Sequence, residues 1–492
     1  MDDIPTIVIG GGPAGLTAAY ELSKHKKQSV VFEKADRVGG ISRTETYKGY
    51  RFDIGGHRFF TKVGEIEALW QEVMGDEFIK VSRLSRIYYK NKFFSYPLEP
   101  YNALSNLGLI NSVLIMWSYF KAKVSPNPVE ENFEQWVSNR FGKRLFETFF
   151  KTYTEKVWGI PCTEIRADWA AQRIKGLSLK KAITNALFGS NSTKTLIKEF
   201  NYPVYGPGQM WERFQQKLNE QNSPVHLNTE VIEVERNCYK VNSVTIKQSG
   251  KISKVKGENF ISSMPVSLLL KKLNPLPPEA VLKAANSLKY RDFLIVSLVV
   301  DQAELFPDNW IYIHSPEFQV GRIQNFKNWS KAMVPDGNKT CLGMEYFCNQ
   351  GDRLWQLSNE QLVELASREV KALGLVAPEV NIEDGTVIRQ FKAYPVYDDE
   401  YRQNVQIIQA YMQKFENLQT VGRNGMHRYN NSDHSMLTGL LAAKNILGEK
   451  HDLWNVNVDR SYHEDFTNSK EAYSNLKNDA HSLDAANSQV CS

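Results

Sequence analysis

Cysteine is scarce in this sequence of 492 residues, and the few that occur are scattered. They are Cys162, Cys238, Cys341, Cys348 and Cys491, and none forms a CxxC pair or the spacing of a zinc site. An odd number of isolated thiols argues against a disulfide framework and favours a reduced compartment. We therefore predict a cytoplasmic protein without a metal site.

A long uninterrupted hydrophobic run is also missing. The most apolar stretch, residues 104–120, is broken by serine and asparagine, and it is shorter than the roughly 20 apolar residues that a spanning helix needs. We interpret it as a core or cap helix in preference to a membrane-surface helix, and expect no integral membrane association.

The chain begins directly with an apolar, β-branched run and lacks the pattern of a secretory signal, so we do not expect export.

Charge of one sign is not in excess. Sixty Lys and Arg side chains stand against 55 Asp and Glu, for a net charge of +5 spread along the chain. No basic stripe of the kind that follows a nucleic-acid backbone is visible, so no nucleic-acid partner is expected.

The chain is longer than one hydrophobic core supports, which predicts two or three domains. Homo-oligomerisation is left open.

What the sequence does contain is the pattern of a βαβ unit near its start. A buried-strand pattern over residues 4–9 runs directly into glycines, a helical pattern rich in Ala and Leu covers residues 14–23, and a second apolar strand covers residues 29–32. This is the order of elements that opens a dinucleotide-binding domain.

The glycines between the first strand and the helix form a GxGxxG motif at residues 10–15. Gly10 permits the tight turn, Gly12 lets the backbone approach a pyrophosphate, and Gly15 allows the helix to pack closely on the strand. The helix N-terminus offers free N–H groups and a positive dipole end to phosphates. Glu33 ends the second strand where a carboxylate accepts ribose hydroxyls.

Two later segments indicate FAD as the dinucleotide. Residues 37–43 (RVGGISR) resemble the second glycine pair of amine-oxidase-like flavoproteins, which NAD-dependent dehydrogenases lack. Asp433 precedes a good helix at residues 435–447; in such flavoproteins an acid contacts the ribityl chain and a helix N-terminus faces the flavin. Asp433 is equally compatible with a simple helix cap. The expected FAD contacts are Gly10, Gly12, Pro13, Ala14, Gly15, Glu33, Lys34, Gly39, Gly40, Ser42, Gly56, His57, Val231, Arg423, Asp433, His434 and Ser435.

Further islands resemble UDP-galactopyranose mutases, chiefly the eukaryotic-type branch. They are DIGGH at residues 53–57, KVW at 156–158 with Trp169 and QR at 172–173, GRI at 321–323 with NWS at 328–330, AYP at 393–395, and GRNG at 422–425 with RY at 428–429 and DHS at 433–435. The islands extend over nearly the whole chain, from about residue 4 to residue 447.

This resemblance implies an α/β fold: a Rossmann-like FAD-binding domain of the glutathione reductase type, with an inserted helical domain and a mixed-sheet substrate domain. We expect the FAD domain at residues 1–80, 195–285 and 385–450, the helical domain at 96–194, and the substrate sheet at 81–95 and 286–384. Residues 451–492 are expected to form a partly disordered C-terminal extension.

The resemblance also implies a reaction. In this family the N5 atom of the reduced flavin attacks the anomeric carbon of a UDP-hexose, and the sugar recloses as a furanose without net redox change. NAD(P)H would be a suitable reductant. By resemblance, Arg173 and Arg322 would hold the diphosphate together with Tyr394 and Tyr429, because arginines and hydroxyls stabilise its developing charge. His57 would lie against the flavin, where packing and hydrogen bonding are favoured over general-base catalysis.

Two other functions remain open. An FAD-dependent oxidoreductase of the amine oxidase and protoporphyrinogen oxidase type shares the glycine motifs and acts on an apolar substrate. The other is a catalytically silent flavoprotein that serves as a binding partner, which would have the same glycine motifs.

Overall fold

The computed structural model describes residues 4–96, 98, 100–167 and 199–457. The strands in these residues are β1 Ile4–Ile9, β2 Ser29–Phe32, β3 Thr44–Tyr47, β4 Tyr50–Asp53, β5 Phe78–Ser82, β6 Ser85–Tyr89, β7 Lys92–Ser95, β8 Glu199–Pro203, β9 Val225–His226, β10 Thr229–Asn237, β11 Lys240–Gln248, β12 Lys251–Ser262, β13 Leu273–Asn274, β14 Tyr290–Val300, β15 Trp310–Ile313, β16 Arg322–Asn325, β17 Thr340–Cys348, β18 Ile382–Pro395 and β19 Leu418–Thr420.

The α-helices in the same residues are α1 Pro13–Lys24, α2 Gly64–Met74, α3 Pro100–Leu107, α4 Leu109–Val124, α5 Phe133–Phe141, α6 Lys143–Leu145, α7 Thr152–Trp158, α8 Gly208–Glu220, α9 Val266–Lys272, α10 Glu279–Ser287, α11 Phe326–Trp329, α12 Arg353–Gln356, α13 Asn359–Ala372, α14 Tyr401–Met412 and α15 Ser432–Ile446. A π-helical segment, Phe146–Lys151, joins α6 to α7.

The first sheet is built around β1. Parallel pairing gives the order β9, β2, β1, β12, β19, and the predicted β1–α1–β2 unit lies at its centre. The N-terminal half of β12 pairs antiparallel with β11, and β11 with β10. Strands β9 and β10 follow each other closely in the sequence but pair with different neighbours, β9 with β2 and β10 with β11 and β13.

Helices α1 and α15 cross in very close contact over this sheet. A Cβ atom on Gly439 would lie 2.1 Å from the carbonyl oxygen of Ala14, and one on Gly15 would lie 2.0 Å from the carbonyl oxygen of Gly10. These positions therefore accept only glycine without movement of the backbone. The first turn of α1 is consequently held against the middle of α15.

The second sheet has seven strands in the order β18, β14, β17, β16, β15, β6, β7. All of its pairs are antiparallel except that between β15 and β6. Strand β18 pairs along the whole of β14, from Ile382 to Pro395. The predicted start of the third FAD-domain segment at residue 385 is therefore too early, because residues 385–395 complete the second sheet.

Helices α3 to α7 follow β7 and form the described part of the helical region. Its core contains the buried rings of Phe133, Trp136, Phe146 and Phe149. Helix α4 is different, because only Ser112 and Ile115 along its length are buried. The stretch at residues 104–120, predicted as a core or cap helix, therefore does not lie in the core. Among the described residues, no helix has the length and apolarity needed to cross a membrane.

The close crossing of α1 and α15 gives a prediction about stability. Gly439→Ala should lower the free energy of unfolding by about 1–3 kcal/mol, because the added methyl group must push the two helices apart. Thermal unfolding followed by circular dichroism measures this change. Gly64→Ala is the matched control, since a Cβ at that position meets nothing within 4 Å. Equal melting temperatures for the two variants would contradict the packing argument.

Candidate active site

A continuous cavity of about 1490 Å³ lies between the two sheets and the helical region. The expected cofactor contacts in its wall are Gly10, Gly12, Pro13, Ala14, Glu33, Lys34, Gly40, Ser42, Gly56, His57, Val231, Arg423, Asp433 and Ser435. Three expected contacts, Gly15, Gly39 and His434, are not part of the wall.

Local packing explains those three exceptions. Gly15 lies beneath the carbonyl of Gly10, and Gly39 lies against the ring of Trp211. The Nδ1 atom of His434 accepts a hydrogen bond from the backbone N–H of Asn431 (3.3 Å). These residues shape the cavity wall from behind.

The N-termini of α1 and α15 both open into this cavity. Gly12 precedes α1, which begins with Pro13, and Asn431 precedes α15. Free N–H groups and two positive dipole ends are therefore turned toward one space, an arrangement suited to an anionic dinucleotide. Asp433 is buried inside the first turn of α15, so the alternative interpretation of this residue as the helix cap is wrong.

Glu33 is tied to the glycine turn. Its Oε2 accepts a hydrogen bond from the N–H of Gly11 (2.7 Å), and its Oε1 accepts one from the N–H of Ala35 (2.8 Å). Each carboxylate oxygen has a second lone pair that remains for a ribose hydroxyl. The carboxylate thus holds the turn in shape as well as facing the cavity.

The other end of the cavity contains a buried ion pair. Arg322 on β16 directs Nε and Nη2 at Oε2 of Glu345 on β17, each at 2.7 Å. Glu345 is completely buried, and its Oε1 accepts a hydrogen bond from the amide of Gln324 (2.7 Å). Arg322 also lines the cavity, and among the described residues its Nη1 makes no hydrogen bond.

Aromatic side chains surround this ion pair. Tyr394 and Tyr429 stack with their ring centroids 5.9 Å apart, and the guanidinium of Arg423 lies 5.0 Å and 4.1 Å from the respective ring centres. Arg423 donates hydrogen bonds to the backbone carbonyls of Ala393 and Asn430. It therefore positions the tyrosine pair, a role that the motif at residues 422–425 does not reveal.

The loop that carries Gly55, Gly56 and His57 passes next to Arg322 and Gln324. A Cβ on Gly56 would lie 2.9 Å from the side-chain nitrogen of Gln324, so a larger residue would displace this loop. His57 Nδ1 lies 3.1 Å from the carbonyl oxygen of Gly55. Because a carbonyl only accepts, Nδ1 carries the proton. Burial, together with the charges of Arg322 and Arg423, lowers the pKa of His57 to about 4.

Several residues of the site were not among the candidates from the sequence. Glu345 faces Arg322 only because β16 and β17 pair in antiparallel register, and Tyr153 and Tyr312 reach the cavity from α7 and β15. Lys156, noted in the sequence only as part of an island, donates to the carbonyls of Ile313, Ser315, Phe318 and Val320 at 2.8–3.2 Å. It anchors α7 to the second sheet. Arg173 lies outside the described residues.

Comparison with known proteins identifies the family. The flavin containing amine oxidoreductase family matches residues 125–447, about two thirds of the chain, and an NAD(P)-binding Rossmann-like domain matches residues 8–73. The chain belongs to the flavin containing amine oxidoreductase family. FAD is its cofactor, and the fold is a Rossmann-like FAD-binding domain with a sheet-rich substrate domain.

Individual relatives cover different parts of the chain. Coproporphyrinogen III oxidase from Mycobacterium leprae (strain TN) is 33% identical over 118 residues, which are 22% of this chain and 26% of that protein. A crystal structure of reduced UDP-galactopyranose mutase has a TM-score of 0.81 at 20% identity and covers 93% of this chain and 98% of its own. Putrescine oxidase bound to putrescine has a TM-score of 0.61 at 16% identity and covers 91% and 99%.

Glu33 gives a prediction about cofactor affinity. Glu33→Gln keeps the size of the side chain but removes one acceptor and the charge, so FAD binding should weaken about tenfold to a hundredfold. Titration of apoprotein with FAD, followed by flavin fluorescence, measures the dissociation constant. Glu67→Gln on the exposed side of α2 is the control and should bind FAD like the parent. Unchanged affinity in the Glu33 variant would show that this carboxylate does not contact the cofactor.

Buried ionisable groups give a prediction about pH. Burial lowers the pKa of His57 to about 4 and that of His314 and His427 to about 3, so below about pH 6.5 the unfolded chain gains three protons that the folded protein does not. Burial raises the pKa of Asp53 to about 8, which retains one proton in the folded protein and offsets one of the three. The free energy of unfolding should therefore fall by about 2.3 kcal/mol as pH drops from about 6 to 5.

The variant Asp53→Asn isolates the opposing contribution. It removes the proton retained by the folded protein, so the slope should steepen from about 2.3 to about 3.6 kcal/mol per pH unit. Urea unfolding at a series of pH values measures both slopes. The same slope in parent and variant would mean that Asp53 is ionised in the folded protein.

Proposed function

We propose that the protein is a UDP-sugar mutase-like enzyme that interconverts pyranose and furanose forms without net redox change. The observation that carries this proposal is Arg322, whose guanidinium is fixed on one edge by buried Glu345 while it lines the cavity. A guanidinium held in this way is preorganised for an anionic group. The protein would act on a UDP-hexose.

The reaction requires that the bond between the anomeric carbon and the diphosphate oxygen breaks, with its electron pair leaving on UDP. Reduced FAD would supply the N5 nucleophile and would still be reduced after turnover. NAD(P)H would serve as the electron donor that first reduces the flavin. Re-formation of the bond to UDP after the ring has reclosed returns the furanose. Atoms and electrons therefore balance without an oxidant.

The residues of the chain would stabilise the charge that grows on the diphosphate. Arg322 offers its remaining N–H groups, and the hydroxyls of Tyr394 and Tyr429 are further donors. Burial raises the pKa of Tyr394 above its usual range, so this hydroxyl keeps its proton at neutral pH and can donate it in a hydrogen bond. Arg173 stays a predicted second arginine of this clamp.

The low pKa of His57 limits its role in this scheme. A neutral imidazole with Nδ1–H directed at a backbone carbonyl leaves Nε2 as an acceptor. With a pKa of about 4 the ring is a weak base. We therefore assign His57 to packing and hydrogen bonding next to the flavin.

A specific observation favours a second candidate, an FAD-dependent oxidoreductase that acts on an apolar substrate. One arm of the cavity extends into the helical region and is lined by hydrophobic side chains, namely Ile87, Leu98, Phe141, Leu145, Phe149 and Phe150. In addition, Glu345 neutralises the charge of Arg322, which weakens attraction of a diphosphate. Oxidation of such a substrate would consume oxygen or another acceptor.

The experiment that tests the mutase proposal uses dithionite-reduced holoprotein and a panel of UDP-hexoses. Arg322→Ala should lower kcat about 10²–10³-fold, the usual cost of losing one well-placed donor to a developing charge. Arg322→Lys should recover only part of the rate, because an ammonium cannot make the same forked contacts. Furanose formation followed by chromatography measures the rate.

A matched control is available in the same sheet. Arg86 also makes a two-pronged contact to a fully buried carboxylate, Asp308, but it does not line the cavity. Arg86→Lys should therefore leave the rate unchanged. The mutase proposal would be wrong if the parent protein forms no furanose product. Oxygen uptake with an apolar amine or porphyrinogen as substrate would then support the oxidoreductase function.

A further inference from the structure

Helix α4 exposes an apolar face of unusual extent. Trp117 is 67% exposed and Phe120 60%, and the other exposed apolar side chains of the helix are Leu109, Ile110, Val113, Leu114, Met116 and Val124. At 100° per residue these eight side chains occupy one half of the helix surface. Contiguous apolar surface of this kind marks a contact with another phase or molecule.

The position of α4 does not depend on this face. The opposite side packs through Ser112 and Ile115, and a Cβ on Gly142 would lie 2.7 Å from the backbone nitrogen of Tyr119. The helix is therefore fixed on α5 and α6 from behind. Its apolar face therefore points away from the helices on which α4 packs.

The surroundings of this face are basic. Residues 100–129 contain no aspartate or glutamate, and Lys121 and Lys123 stand in the last turn of α4. A groove of about 380 Å³ between α4 and the β6–β7 hairpin is lined by Lys90, Lys92 and Arg144, with Glu147 as the acid in its wall. Hydrogen bonds hold two of these cations in place, Lys92 to the carbonyl of Asn106 (2.6 Å) and Arg144 to Asn111 (2.8 Å).

We propose that α4 docks the protein onto the surface of a bilayer that contains anionic lipids. The apolar face would enter the boundary between headgroups and acyl chains, where Trp and Phe are favoured, and the basic groove would take lipid phosphates. The chemistry of the patch, apolar in the centre and cationic at the edges, is that of helices which lie in the membrane plane. This docking is independent of the function proposed above.

A second copy of the chain fits this surface less well. A helix of 16 residues is about 24 Å long and 10 Å wide, so its face offers a few hundred Å², against the roughly 800 Å² per partner of a stable interface. A two-fold contact would also bring like-charged patches together without an acidic complement. Residues 169–198 of this chain carry six basic and no acidic side chains, and so provide no complement either.

The location of α4 links the docking surface to the cavity. Phe141 and Leu145 flank Gly142, on which α4 rests, and both line the apolar arm of the main cavity. Docking would therefore bring this arm close to the lipid phase.

Vesicle co-sedimentation of the holoprotein tests the proposal. The protein should bind vesicles of equimolar phosphatidylcholine and phosphatidylglycerol, and bind phosphatidylcholine vesicles much less.

Trp117→Glu combined with Phe120→Glu should weaken binding about a hundredfold, because two large apolar side chains lose their burial. Ile252→Glu is the matched control, since Ile252 is 64% exposed on β12 and should be dispensable. Lys90→Glu with Lys92→Glu should abolish the preference for phosphatidylglycerol.

Any of the following results would overturn the proposal. One is the absence of binding to anionic vesicles, or binding that survives the Trp117 and Phe120 substitutions. Another is a dimer that these substitutions convert to a monomer while vesicles remain unbound, which would assign the face to a second copy. The last is a Val113→Cys variant whose new thiol, followed by mass spectrometry, resists maleimide in the free monomer. That outcome would show the face to be covered by the chain itself.

Discussion

The contact between α1 and α15 is the constraint on which the cofactor half of the structure depends. Gly439 and Ala14 approach so closely that no side chain fits between them, and this approach places two helix N-termini at one cavity. Each terminus brings the N–H groups of its first turn and a partial positive charge. FAD suits both, because it has a negatively charged pyrophosphate in its middle and, at one end, a flavin ring that gains negative charge on reduction.

The substrate half depends on charge balance instead. Arg322 and Glu345 lie on neighbouring strands, and Glu345 is fully buried, so it would be costly to leave this carboxylate unpaired. Pairing removes that cost and also orients the guanidinium. The same pairing cancels net charge, so any anionic substrate would be bound by geometry and by tyrosine hydroxyls more than by long-range attraction. This balance is why an apolar substrate remains a physically reasonable second candidate.

The apolar arm of the cavity and the exposed face of α4 lie on either side of the same layer, formed by α5, α6 and the π-helical segment Phe146–Lys151. π-helical turns inside helices often occur at functional sites, and here the segment places Phe149 and Phe150 in the cavity wall. A single helical layer thus separates the active site from the surface proposed to meet lipid.

The sequence by itself determined the parts of the protein that are encoded locally. The β1–α1–β2 unit, the glycine turn and Glu33 could be located because strand, turn and helix signals lie within about thirty residues. Tertiary structure alone decided the rest. Glu345 faces Arg322 through a strand register that no local pattern specifies, and β18 joined the second sheet because β14 offered it an edge. The burial of α4 was misjudged for the same reason: apolarity shows that a surface needs a partner, but only the arrangement of neighbouring elements determines whether the protein provides one.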